Sequence, residues 1–449
     1  MPQKDQYCIW RRATENLFLS KTESTKELRR SLIRSGAENN RFTISHISAG
    51  MFQWTLLLFL STPLYAIRLG RAINDDNYPE RLWETDRAIP FTFDTVFPDE
   101  NRPALRDILR EIQSRTCLSF TEVPITSLTR KSTTTIVFTN GTECQSWRVG
   151  KNNELVRYTV AFNDGCMKIV NYYELLFYTI GIQSPHQRYD RDEYVTLLEN
   201  NTKPDFLDMF DKYSPEESKS YGVPYDFDSL LHVIPEFGSI DGMKPTILAK
   251  DHLYQYTMGR NIYAPSHADY LEINRLFKCL DKCEAEKTAC ENGGYVNPHN
   301  CSECSCPRGF TGRLCTELDY NEATHKGCGG YIDVTDSWKE LTIQRQANEN
   351  NISCYWFLNA PKGRNIEIKL VTIAPENERC TPFTKTWLEI RSGNFIPGGY
   401  KFFCNKQLPK DPIRTNENFV VLTLSQDYSD PTTFTLLHRS VLDEKHNES

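Results

Sequence analysis

The residues able to do chemistry gather in the middle of the chain, where the text YELLFYTIGIQSPHQRYDRD runs on from Tyr173. It places one carboxylate, Glu174, on an apolar run of helical spacing and one imidazole, His186, beyond a glycine. His232, His252 and His267 follow in the same region. A hydrolytic metal site needs two imidazoles one helical turn apart, so that both reach a single ion from one face. No pair here sits at i, i+4 on one predicted helix, so the histidines read as structural, with His186 the one worth testing as a ligand. Bound zinc lowers the pKa of water from about 15.7 to about 7, and hydroxide then exists at neutral pH. A lone Glu174 with a carboxyl pKa near about 4.3 cannot usefully deprotonate free water. It reads as a vestige or as a solvated helix residue.

The second reactive residue type is cysteine. The chain has 15, most of them from Cys279 onward, which points to an oxidising compartment. Cys283, Cys290, Cys301, Cys304, Cys306 and Cys315 crowd into a segment too short to bury much apolar surface, so cross-links must hold it. Zinc is the weaker reading of this cluster, because C-x2-C-x-C lacks paired CxxC knuckles. A net charge of −7 from 52 basic and 59 acidic residues, with no basic stripe, excludes nucleic acid as a partner.

The positioning elements are periodic. RAIPFTFD opens an alternating segment, and in PALRDILREIQSRT the residues Leu105, Ile108, Leu109 and Ile112 mark one helical face. CLSFTEV, TTTIVFT and VRYTVAFN read as strands. KIVNYYELLFYTIG reads as a second striped helix, with Ile169, Val170, Tyr173, Leu176, Phe177 and Ile180 on its core face. This mixture gives an α+β domain over 87–280 that closes at LEINRLFKC. From Cys328, short alternating segments (YIDV, NIEIKLV, WLEIRS, NFVVLTLS) read as an all-β sandwich over 328–438, followed by a polar tail over 439–449.

Trp54 to Tyr65 form the one strongly apolar run, short of the roughly 20 residues a membrane span needs. It reads as a secretory signal over 51–66, cleaved near Ala66, with Met51 as the start and 1–50 as a gene-model extension or disordered segment. That cut removes Cys8 and leaves an even cysteine count. Residues 67–86 read as a short propeptide or linker, in which Asp75, Asp76 and Asp86 are solvated charges. Sequons stand at Asn140, Asn200, Asn300, Asn351 and Asn447.

RAIPFTFD, RYDRDEYVT, YGVPYDFDSLLH and LEINRLFKC together resemble the astacin-family zinc metalloproteases. Residues 281–316 resemble an EGF-like module and 328–438 a CUB domain. The resemblance implies a multidomain chain: a metzincin-type α+β domain, a small disulfide-rich module and an all-β sandwich. It also implies the pairings Cys117–Cys279, Cys144–Cys166, Cys283–Cys301, Cys290–Cys304, Cys306–Cys315, Cys328–Cys354 and Cys380–Cys404.

The family's HExxHxxGxxH puts three histidines on zinc. Two registers fit here. Taking Glu174 as the motif glutamate puts Tyr173, Phe177 and Gln183 in the ligand slots; counting back from Gly181 and Asp190 puts Glu174, Tyr178 and Ser184 there. Neither register supplies a histidine. The family's S-x-M-H-Y turn reads Ser229, Leu230, Leu231, His232, Val233, with valine replacing the zinc-assisting tyrosine. In the CUB-like part, Lys385, Thr386 and Trp387 precede LEIRSG where a calcium-binding aspartate would stand, so calcium is not expected. The resulting expectation is a secreted extracellular pseudoprotease without a cofactor, binding proteins or peptides through its cleft, EGF-like and CUB domains, with no membrane span. The alternative is an active zinc-dependent endopeptidase with an unconventional metal site.

Overall fold

A computed structural model describes residues 72–262, 264–320, 328–344, 354–375, 386–425 and 432–443. The N-terminal extension, the apolar run, Cys380, Lys385, Asn351 and Asn447 lie outside the described residues. So do residues 444–449, whereas 439–442, expected as polar tail, belong to the strand Thr433–Leu442.

Short strands β1 (Ala72–Ile73), β2 (Ile89–Phe93), β3 (Phe120–Glu122), β4 (Thr135–Asn140), β5 (Gln145–Ser146) and β6 (Arg157–Phe162) open the chain. Five of them form one sheet in the order β3-β2-β4-β6-β5, parallel except for β5, which runs antiparallel to β6 at the edge. Two helices cover it, α1 (Arg102–Arg115) and α2 (Ile169–Ile180). Leu105, Ile108, Leu109 and Ile112 are the buried residues of α1, the i, i+3, i+4, i+7 stripe of a core-packed helix. On α2 the buried set includes Tyr173, Leu176, Phe177 and Ile180, whereas Ile169 is 55% exposed and falls off the expected stripe. A third helix, α3 (His267–Leu276), begins with a capping box in which the Ser266 hydroxyl and the Asp269 carboxyl satisfy each other's backbone N–H groups. A disulfide joins Cys117, just after α1, to Cys279, just after α3, and another joins Cys144 to Cys166.

Of the segment 67–86, expected as a short propeptide or linker, the part from Ala72 onward packs into the domain. β1 pairs with Ser218–Lys219, and Ala72 and Ile73 are wholly buried. The Ile73 N–H donates to the Gly181 carbonyl at 3.2 Å, and the Trp83 indole N–H donates to the Thr179 carbonyl at 2.7 Å. Asp75 is not a solvated charge. Its buried carboxylate accepts from the Tyr221 hydroxyl at 2.7 Å and pairs with Lys219 and Lys278 at 3.2 and 3.0 Å. Burial opposes its ionisation, but these three partners outweigh burial and hold it below the ordinary carboxylate range. Asp76 remains at the surface beside Lys219.

Residues 281–318 form two small hairpins stapled by Cys283–Cys301, Cys290–Cys304 and Cys306–Cys315. From Gly329 two sheets face each other. One has five strands (Gly329–Asp333, Cys354–Asn359, Phe419–Ser425, Trp387–Ser392, Tyr400–Phe402); the other has four (Lys339–Ile343, Thr433–Leu442, Arg364–Ala374, Ile413–Arg414). Their inner faces bury Trp356, Ile368, Leu388, Leu422 and Leu436 between them, and Cys328–Cys354 closes one end. Among the described residues no helix is long and apolar enough to cross a membrane.

Candidate active site

Helix α2 stops at Gly181, which holds a left-handed φ of 109° while its N–H and that of Ile182 turn back to the Phe177 carbonyl at 3.0 and 2.8 Å. A Cβ at Gly181 would also lie 2.9 Å from the Ile73 side chain, so β1 and the helix cap each require glycine there. The cap sends Ile182–His186 back beneath the last turns of α2. This brings the Tyr178 hydroxyl within 2.7 Å of the Ser184 hydroxyl, with Glu174 one turn earlier on the same side. Glu174, Tyr178 and Ser184 are therefore the sequence-predicted set that the fold brings together.

The other set disperses. The Tyr173 hydroxyl donates to Glu111 on α1, and Phe177 packs edge-on against Tyr173 and Tyr270 with ring centroids 6.3 and 6.2 Å apart. The Gln183 side-chain carbonyl is buried without a hydrogen-bond partner. One residue the sequence reading missed is Leu175. It is 2% exposed and occupies the position directly after Glu174 on α2. Fixing Gly181 as the motif glycine would have pointed to it.

Burial dominates the electrostatics. It raises the Glu174 carboxyl to about 7 against a single stabilising bond from the Asn171 amide at 3.3 Å. It pushes the Tyr178 phenol well above its usual range, with the Glu174 charge adding to the shift. Both groups are thus inclined to neutrality.

Two histidines approach from below, with ring centroids of His186 and His232 5.9 Å apart. The His232 Nδ1–H donates to the Val233 carbonyl at 2.9 Å, which leaves Nε2 to accept from the Tyr225 hydroxyl at 2.8 Å. His186 is 3% exposed and its Nδ1 has no hydrogen-bond partner. Desolvation, with His232 and Arg191 nearby, lowers its pKa well below the ordinary imidazole value. The turn bearing Leu230, Leu231 and Val233 is held by Asp269, which accepts from the Ser229 hydroxyl at 2.6 Å and the Leu230 N–H at 3.0 Å. His252 is exposed, and His267 lies apart with Nε2 donating to the Gly293 carbonyl at 2.9 Å.

Residues 75–278 match the family model described as Astacin, a peptidase family, and the chain carries an astacin-family domain. It is 28% identical over 389 residues to zinc metalloproteinase nas-29 of Caenorhabditis elegans, covering 84% of this chain and 70% of that one. It is 30% identical over 380 residues to zinc metalloproteinase nas-34 of the same organism, covering 83% and 59%. Among solved structures, high choriolytic enzyme 1, a hatching enzyme zinc-protease from Oryzias latipes, aligns at 20% identity and a TM-score of 0.40 over 47% of this chain and 99% of that one. That likeness speaks to neither activity nor site.

The expectation of no cofactor is corrected by this kinship: the relatives are named zinc metalloproteinases, and zinc is the cofactor the family implies. The residues brought together here nevertheless do not fit the family's three-imidazole site. They offer a carboxyl, a phenol and a hydroxyl, and the phenol and hydroxyl are engaged with each other.

Proposed function

We propose that this chain is a secreted astacin-family pseudoprotease, an extracellular protein that binds through its cleft without hydrolysing what it holds. The observation carrying the reading is the α2 register. With Gly181 as the motif glycine, Glu174, Tyr178 and Ser184 stand at the three ligand positions, and the buried Leu175 stands where the family has its general base. Leucine can neither take a proton from water nor return one to a leaving amine, so the missing proton transfer holds whatever ion the site contains. At the turn below, the backbone at Val233 offers a carbonyl to His232, and its side chain offers no hydroxyl.

Three disulfides in the short segment after Cys279 suit an oxidising, extracellular setting, and Asn140, Asn200 and Asn300 are all exposed where a glycan would need them. The segment 281–316 is read as EGF-like and 328–438 as a CUB domain, both suited to protein contacts. An extended peptide is the ligand class such a cleft suits. The observation favouring an active endopeptidase with an unconventional metal site is the unpartnered Nδ1 of buried His186.

The purified secreted chain, incubated with a peptide library with and without added zinc, decides between them. The proposal expects no cleavage above the buffer control in either arm. Chelator-sensitive cleavage would establish the alternative.

A further inference from the structure

The densest charged chemistry outside the site lies where the astacin-family domain, the disulfide-rich segment and the β-sandwich meet. Asp228, completely buried four residues before His232, pairs with Lys401 of the sandwich and with Arg308 of the disulfide-rich segment, the latter at 2.8 Å. Arg308 also reaches Glu389 at 3.5 Å, and this equally buried carboxylate accepts from the Gly399 N–H at 2.8 Å. Asp226 accepts from the Gly398 N–H at 3.0 Å and from the Ser266 hydroxyl at 2.6 Å. The Thr257 hydroxyl donates to the Gly399 carbonyl at 2.9 Å and accepts from the Lys401 N–H at 3.2 Å, which clamps the sandwich backbone at two points.

Rings close the rim. Tyr254 meets Tyr400 at 4.6 Å, and the Arg260 guanidinium lies 4.3 Å from the Phe403 ring centre. The approach leaves no slack: a Cβ on Gly398 would fall 2.1 Å from that of Asp228.

Desolvating this many charges is unfavourable unless every partner is held in place. A sandwich swinging on a tether could not keep Lys401 and Asp228 dry together, with the half-exposed Arg308 lying across their rim. We propose that the β-sandwich is a permanently docked wall of the astacin-family domain, not a free binding arm. Asp228 is its anchor, and the surface formed by Asp226, Asp228 and Thr257 is built to receive Gly398–Lys401 of the same chain. The loop leading to His232 is thereby fixed to the sandwich, and partners meet one composite body. This does not depend on whether the site hydrolyses peptides.

The test uses the full secreted chain in X-ray scattering and amide exchange. A single globule of residues 72–449 has a radius of gyration of about 21 Å. The proposal expects a value close to that, with slow exchange shared by residues 226–229 and 398–401. Asp228→Asn should speed exchange in both segments at least tenfold, and adding Lys401→Met should recover part of the protection by removing the stranded cation. Should Asp228→Asn not fold, Thr257→Val removes only the clamp hydroxyl and should speed exchange of the Gly399–Lys401 amides at least threefold. A radius a third or more above the globular value, or unchanged exchange in the folded variants, would overturn the docking.

Discussion

Two buried polar regions of this chain lie a few residues apart and are built on opposite principles. Around α2 the polar groups are weakly charged and mostly paired with one another: a phenol on a hydroxyl, a phenol on an imidazole, and a carboxyl raised to about 7, with the Gln183 carbonyl and the His186 Nδ1 left unpartnered. At the three-module junction acidic and basic side chains form ion pairs across segments far apart in sequence, as Asp228 and Lys401 do. The first arrangement loses a partner at the smaller cost, because a neutral hydroxyl stranded in the interior forfeits about 1–2 kcal/mol. The second loses one at the larger cost, because a stranded charge is severely penalised. Kinship would lead one to look for strong electrostatics at the catalytic helix; in this molecule they are at the junction.

The largest effect that could break this contrast is Asp228→Ala, which strands Lys401 and should destabilise the chain by about 3–5 kcal/mol in denaturant unfolding. A cost below about 1 kcal/mol would mean that the network is hydrated. Next is Gly181→Ala, which forces a left-handed φ on alanine and drives a Cβ toward Ile73. A loss of about 1–3 kcal/mol is expected, with part of it recovered when Ile73→Val is added. Tyr178→Phe should cost about 1–2 kcal/mol by stranding the Ser184 hydroxyl, and Tyr178→Phe with Ser184→Ala should regain most of that. If the double variant is as unstable as the sum of the singles, the two side chains are not partners.

The smallest effect is the pH dependence. Burial keeps His186 well below the ordinary imidazole range and lowers His267 to about 4. Their share of stability is therefore whole above about pH 6.5 and falls away on acidification, as the unfolded chain takes up protons that the folded chain refuses. Glu174 has the opposite sign. Its folded pKa of about 7 exceeds the ordinary 4.5, so its penalty grows as pH rises between those values. Glu174→Gln should leave stability at pH 4 unchanged and raise it at pH 8 by about 1–2 kcal/mol. A pH-independent difference would show that Glu174 is not buried in solution.

Much of the fold could be read in the sequence because its signals are local. The stripe Leu105, Ile108, Leu109, Ile112 and the alternation in NFVVLTLS each state their element within one or two turns. The site was only half legible. YELLFYTIG accommodates two registers one residue apart, and only the left-handed cap at Gly181 and the Tyr178–Ser184 contact favour one, which is also what exposes Leu175. The docking of β1 beneath that cap, with Ile73 against Gly181, spans more than a hundred residues and leaves no periodic trace. The junction is less legible still: Lys401 in YKFF looks like any exposed strand lysine until Asp228 is placed beside it.

The most direct test of the account is to rebuild the site in each register and assay hydrolysis. Glu174→His, Leu175→Glu, Tyr178→His and Ser184→His together, supplied with zinc, should give chelator-sensitive peptide cleavage that the parent chain lacks. Tyr173→His, Phe177→His and Gln183→His should give none. Cleavage by the second set alone, or by the unmodified chain under the same conditions, would contradict the account.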